Sequence, residues 1–280
     1  MRVGLIQLSS TDDPAENLTQ TSELIRAAAN DGATFVATPE VTNCVSLSRA
    51  RQEQVLEPEH SDETLAGLQQ LAAELGITLL IGSLALKTRE KRFANRSILL
   101  GPDGTILARY DKIHMFDVDL YSTEVYRESD GYRPGTRAVL ARTPDATQLG
   151  MTICYDLRFP PLYHSLARAG AQILSIPSAF TRPTGEAHWE VLLRARAIET
   201  GCYVLAPAQT GTHRAVAGGR ERQTWGHSLV VDPWGAVLLD MGEGVGWSCV
   251  DLQLDAVAEA RRRVPNLVNH VTYEEPVPDD

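Results

Sequence analysis

The sequence predicts an α/β protein in which two β-sheets face each other with helices outside, and three observations carry that expectation. Short runs rich in Val, Ile and Leu alternate with helix-length amphipathic segments along the chain. The run VGLIQ, a helix and GATFVATPE are echoed by LGMTIC, a helix and GAQILSIPS, so one strand–helix–strand unit ends at Pro39 and a second at Pro177. No Pro-, Gly- or Ser-rich linker divides the chain. One domain over residues 1–264 follows, with a tail, 265–280, whose prolines and acidic end oppose regular structure.

Taken in order, the short apolar runs predict strands at residues 3–8, 34–38, 78–84, 96–100, 105–110, 148–154, 172–176, 203–206, 227–231, 237–240 and 246–250. Apolar positions recurring at the 3.6-residue period predict helices at 15–30, 62–75, 162–169, 186–200 and 255–262.

Composition narrows the function. With 26 Lys and Arg against 36 Asp and Glu, the net charge is −10, and 43% of residues are hydrophobic. An acidic chain without a basic patch is a poor partner for nucleic acid. Its apolar stretches fall short of a membrane span, and its start turns acidic within about a dozen residues, unlike a signal peptide. A cytoplasmic location is expected. Cys44, Cys154, Cys202 and Cys249 form no CxxC pair, and the seven histidines are dispersed, so neither disulfides nor a metal are expected.

Several residues stand where chemistry is expected, since open α/β sheets place their sites at the carboxyl ends of strands. Cys154 closes an apolar strand and opens the polar turn CYDLRFPP, a position like a nucleophile elbow with backbone N–H groups near a developing oxyanion. Alone, a cysteine in an apolar run is usually just a small core residue. The chain holds only three lysines, and Lys87 and Lys91 lie in the polar run KTREKR of a solvated turn. Lys112, in RYDKIHMFD, follows a strand and precedes a mixed apolar-charged segment, and reads equally as a compact ammonium that arginine cannot imitate or as a structural residue. Glu40 follows Pro39 at a strand end, where it reads as a positioned carboxylate or as an acid near a helix start. Glu128, in YRESDGY, reads by itself as a surface residue.

In combination, FVATPE with Glu40, YDKIHMFDVDL with Lys112 and GMTICYDLRFP with Cys154 resemble, in order and spacing, the Glu–Lys–Cys triad of the nitrilase superfamily of carbon–nitrogen hydrolases. The resemblance runs from residue 3 to about 264 and implies an αββα sandwich, in keeping with the two-half pattern. RES with Glu128, PSAFTRPTGEAHWEVLLRARAIE and WGHSLVVDPWG look like the branch that holds the deaminated-glutathione amidases and omega-amidases. PSAF and residues 208–213 are more similar to the former.

The resemblance implies a cysteine-dependent amidase that cleaves a terminal carboxamide of a small carboxylate substrate to acid and ammonia through a thioester, without a cofactor. Cys154 is then the nucleophile, Glu40 the general base, Lys112 the cation on the oxyanion, and Glu128 the carboxylate that holds Lys112 and the amide. The Tyr155 backbone N–H is the second oxyanion donor. Phe180 and Thr181 are expected to line the pocket, and Arg158 is expected to grip a substrate carboxylate or else to cap a helix. His188, Trp189 and Glu190, at helical spacing, read as packing rather than catalysis. An omega-amidase acting on 2-oxoglutaramate or 2-oxosuccinamate, an N-carbamoyl amino acid hydrolase and a non-catalytic interaction protein on the same fold remain alternatives. Leu267, Val268, Val271 and Tyr273 make the tail apolar, which predicts a homodimer or larger homo-oligomer.

Overall fold

The computed structural model describes residues 1–121, 124–216, 218–269 and 271–274. In chain order the elements are β1 (Arg2–Gln7), α1 (Pro14–Asn30), β2 (Phe35–Ala37), α2 (Arg49–Val55), α3 (Glu63–Leu75), β3 (Thr78–Leu86), β4 (Ala94–Leu100) and β5 (Ile106–Asp111). There follow β6 (Asp117–Tyr121), β7 (Glu124–Arg127), α4 (Glu128–Gly131), β8 (Val139–Arg142), β9 (Gln148–Met151), α5 (Pro160–Arg168), β10 (Ile173–Ser175) and α6 (Arg182–Thr200). The chain closes with β11 (Tyr203–Ala206), β12 (Thr210–His213), β13 (Arg222–Trp225), β14 (Leu229–Val231), β15 (Val237–Asp240), β16 (Gly246–Asp251) and α7 (Asp255–Arg263).

Two six-stranded sheets result, ordered β16-β1-β2-β3-β4-β5 and β15-β14-β11-β10-β9-β8. In each, three central strands run parallel and the outer ones antiparallel. The echo between the halves is thus a shared plan: parallel neighbours need helical crossovers, supplied by α1 and α3 in the first half and by α5 and α6 in the second.

Strand alternation sorts the core. Val3, Leu5, Phe35, Ala37 and Leu80 of the first sheet share a cluster with Leu149, Met151 and Ile173 of the second, which is the seam between the sheets. Ile6, Val36, Leu79 and Ile81 point the other way, onto Ile25 and Ala28 of α1 and Leu65 and Leu68 of α3. Both faces of the central strands are therefore buried, giving the αββα sandwich that the sequence predicts.

The two proline-ended units meet at Gly82 of β3. A Cβ there would lie 1.9 Å from the Thr38 carbonyl oxygen, 2.5 Å from that of Pro39 and 2.5 Å from Pro177 Cβ. Only a residue without a side chain lets the halves approach so closely.

Some elements differ from expectation. The strand into Cys154 ends at Met151, because residues Cys154–Arg158 wind into a 3₁₀ turn. Helix α6 starts four residues earlier than its apolar period suggests, with a proline in its first turn. That proline, Pro183, suits a helix start. The short α2, the β6–β7 and β12–β13 hairpins and β8 are further additions. Beyond α7, residues 264–269 and 271–274 carry neither helix nor strand.

Candidate active site

Cys154 has φ +49°, in the left-handed region, and its N–H donates to the Pro177 carbonyl at 3.0 Å. A non-glycine residue held there is strained, and such strain persists only where surroundings enforce it. Asp156 does much of the enforcing. Fully buried, its Oδ2 accepts from the Ile153 N–H at 2.9 Å and the Tyr110 hydroxyl at 2.6 Å, while its Oδ1 accepts from the His114 N–H at 3.0 Å and contacts His114 Nδ1 at 2.7 Å. One carboxylate thus clasps the turn after Cys154 to the segment that carries Lys112.

Glu40 is delivered by the turn after β2. Val41, next to it, also has a positive φ, +48°, and its N–H donates to Ser83 Oγ at 2.7 Å. Glu40 Oε1 accepts from Lys112 Nζ at 2.8 Å and Asn95 Nδ2 at 2.9 Å, and Oε2 accepts from the Ala179 N–H at 2.9 Å. Lys112, only 2% exposed, also donates to Glu128 Oε1 and Oε2 at 3.0 and 2.9 Å. Glu128 is fixed in turn by the Phe116 N–H, 2.7 Å from Oε2.

Burial alone would push the Glu40 carboxyl up, but the Lys112 ammonium, contact with the Cys154 thiol and the charge of Arg222 hold it below the usual carboxylate range. Burial opposes the Lys112 charge, yet Glu128 and Glu40 keep its pKa well above the ordinary value. The Cys154 thiol moves up, through burial and then the Glu40 charge, with Lys112 opposing. The resting site therefore pairs a protonated sulfur with an ionised carboxylate and an ammonium, which is the protonation pattern a base-assisted thiol attack requires.

These groups border one cavity of about 360 Å³, within the size range of small-molecule sites. Glu40, Lys112, Glu128 and Cys154 all line it, and so do Tyr155, Phe180 and Thr181. Arg158 does not. The 3₁₀ turn carries it to a half-buried position, where Nη2 lies 3.2 Å from His188 Nδ1 and the guanidinium stands over the Tyr155 and Phe180 rings at 5.9 and 5.6 Å. Trp189 packs on Phe180 with ring centroids 4.8 Å apart and donates to the His227 carbonyl, an architectural role.

Among the wall residues that sequence reasoning missed, Asn95 and Arg222 carry polar groups directed at the site. A polar residue interrupting the run FANRSILL was the available signal for Asn95, whereas Arg222 stands in a polar stretch with no such contrast. Among the described residues no group of three or more His, Cys, Asp or Glu is arranged to hold a metal, and no helix is long and apolar enough to cross a membrane.

Residues 2–262 match the carbon–nitrogen hydrolase family. The chain belongs to that family. Among its relatives, the deaminated glutathione amidase of Yersinia enterocolitica is 41% identical over 95% of this chain and 91% of its own length. The human deaminated glutathione amidase is 38% identical over 94% and 80%. In structure, the NitFhit protein of C. elegans superposes with a TM-score of 0.88 at 36% identity; 96% of this chain is covered, but only 64% of that longer one. The carbon–nitrogen hydrolase family acts on amide bonds, and this member is a hydrolase of that class, with its buried carboxylates, ammonium and thiol around a single cavity.

Proposed function

We propose that the protein is a cysteine-dependent amidase whose substrate is deaminated glutathione, with Glu40, Lys112 and Cys154 as its catalytic groups. The observation that carries the catalytic part of this reading is the Lys112 Nζ bonded to both Glu40 and Glu128 on the cavity wall that Cys154 shares; similarity to deaminated glutathione amidases supports the substrate. Glu40 takes the thiol proton as sulfur attacks the amide carbon. An ammonium has three N–H donors; with one turned to Glu40 and one shared between the two Glu128 oxygens, the third is left for the tetrahedral oxyanion, alongside the Tyr155 backbone N–H. As the carbon–nitrogen bond breaks, Glu40 returns its proton to the departing nitrogen. A thioester remains on Cys154. Glu40 then activates water, which releases the acid and regenerates the thiol, and Glu128 holds Lys112 in place throughout. Phe180 and Thr181 form part of the wall against which the substrate packs.

The leaving group needs one amendment. Ammonia is the product from a terminal carboxamide, as in 2-oxoglutaramate, the omega-amidase substrate. Glutathione contains no primary carboxamide, so from its deaminated form the amine is a peptide. The test incubates the protein with deaminated glutathione, 2-oxoglutaramate and an N-carbamoyl amino acid, following amine, ammonia and carbon dioxide. Deaminated glutathione should be turned over fastest, with an acyl adduct on the protein by mass spectrometry. Cys154→Ala should abolish both turnover and adduct. Turnover by that variant, or carbon dioxide as the dominant product, would overturn the reading.

Self-association is part of the same reading. Of the tail residues expected to be apolar surface, Val268, Val271 and Tyr273 are 84%, 73% and 80% exposed while Leu267 packs against the core; Val264 before them is 50% exposed, and Asn266 ties this segment to α6 at Glu199, near exposed Ile198. Copies of the chain should pair through this apolar surface. A monomer by light scattering would remove that part.

A further inference from the structure

Four cationic side chains border the cavity: Arg49, Lys112, Arg127 and Arg222. Three are committed. Lys112 is held by Glu40 and Glu128. Arg49 donates to the carbonyls of Gly131 and Lys91 and pairs with Glu53. Arg127 donates to the carbonyls of Val118 and Tyr126 and pairs with Asp119. Arg222 differs: its hydrogen bond to the described residues is from Nη2 to the Ala179 carbonyl at 2.6 Å, its buried Nε has no partner among them, and no carboxylate among the described residues pairs with it. A buried donor left unmade costs about 1–3 kcal/mol, so a guanidinium with unused donors on a cavity wall calls for an anion.

We infer that Arg222 is the carboxylate-binding residue of the site, and that it holds the acyl half of the substrate, the half that becomes the thioester. The placement is compatible with that half, and the test below separates it from the leaving half. Ala179 receives Arg222 on its carbonyl and gives its N–H to Glu40, so with one residue between them the guanidinium and the base stand within about 9 Å by backbone dimensions. A carboxylate three or four carbons from the scissile carbonyl, as in a 2-oxoglutaryl group, spans that distance. The guanidinium is anchored on one side by Ala179 and offers its other donors in a fixed fork, which suits a planar carboxylate. Arg158 lacks this access. The inference rests on the amidase reading and names the subsite that selects its substrate.

The test compares Arg222→Met with the unaltered protein on 2-oxoglutaramate and on 4-oxopentanamide, in which a methyl group replaces the carboxylate. The variant should lose about 10- to 100-fold more kcat/KM on the anion than on the neutral amide, mostly through KM, as for a lost hydrogen bond to a charge. Equal losses would show that Arg222 acts only by holding Ala179, and would overturn the inference while leaving the amidase reading intact. Deaminated glutathione and its glycine amide should suffer the same loss; a loss confined to the free glycine carboxylate would assign Arg222 to the leaving half and overturn it too. Calorimetry of 2-oxoglutarate on Cys154→Ala, with and without Arg222→Met, reads the subsite without turnover. Arg222→Met should weaken that binding at least tenfold, and unchanged binding would overturn the inference. If the unaltered protein hydrolyses none of the amides, the amidase reading fails, and calorimetry alone decides the anion subsite.

Discussion

Replacing Glu128 by Gln keeps the shape of the side chain and removes its charge. Lys112 Nζ now touches both Glu128 oxygens, at 3.0 and 2.9 Å, and one of those oxygens also serves the Phe116 N–H. Gln keeps one carbonyl acceptor and turns an NH₂ toward either the ammonium or the Phe116 N–H, so at least one charge-assisted hydrogen bond is lost. Such a bond contributes about 1.5–3 kcal/mol. About 2 kcal/mol taken from the positioning of Lys112 at the oxyanion corresponds to about a 30-fold slower acylation. Rapid-quench measurement of acyl-protein formation reads that step, and urea unfolding of the same variant reads the fold. The expected result is slowed acylation with a smaller fractional loss of stability. Acylation within threefold of the unaltered protein would refute the claim that Glu128 positions Lys112, and would make the contact a structural one alone.

Two further outcomes follow from the site and the seam. With the Cys154 thiol held above its usual pKa and Glu40 held below its own, sulfur stays protonated and the carboxylate ionised across the neutral range, so proton transfer to Glu40 accompanies attack at every pH there. The rate of Cys154 alkylation by iodoacetamide, followed by intact mass, should therefore be flat from roughly pH 6 to 9, where an ordinary thiol with pKa near 8.5 rises up to tenfold per pH unit; a tenfold rise would show an independent thiolate. At Gly82, alanine would force a Cβ into two backbone oxygens and Pro177. Overpacking against backbone cannot relax by side-chain rotation, so Gly82→Ala should cost about 3 kcal/mol or more, and an unchanged unfolding midpoint would show that the halves can separate locally.

The sandwich was legible because both halves write the same strand–helix–strand pattern, in short continuous apolar runs for the strands and a 3.6-residue apolar period for the helices, and both end at a proline. Glu40 and Cys154 were legible for a related reason, as polar residues at strand ends. The 3₁₀ turn after Cys154 was not, because its geometry depends on Asp156 reaching Tyr110 and His114, more than forty residues away. That turn is what takes Arg158 off the cavity wall. Glu128 reads as surface in its local sequence; the family resemblance, not the local pattern, pointed it at Lys112, where the fold brings it. Arg222 needed the fold as well, since its value lies in donors left over after Ala179 is served.

The clasp made by Asp156 has a kinetic side. Glu40 and Lys112 belong to the first sheet's connections and Cys154 to the second's, and neither sheet contains a complete set. If the sandwich loosens, base and thiol part company while each sheet keeps its own ladder of hydrogen bonds. Catalytic competence is thus tied to the docking of two layers rather than to the persistence of secondary structure. Mild denaturant or gentle heating should silence the chain before its strands and helices melt, so activity can report the earliest step of unfolding.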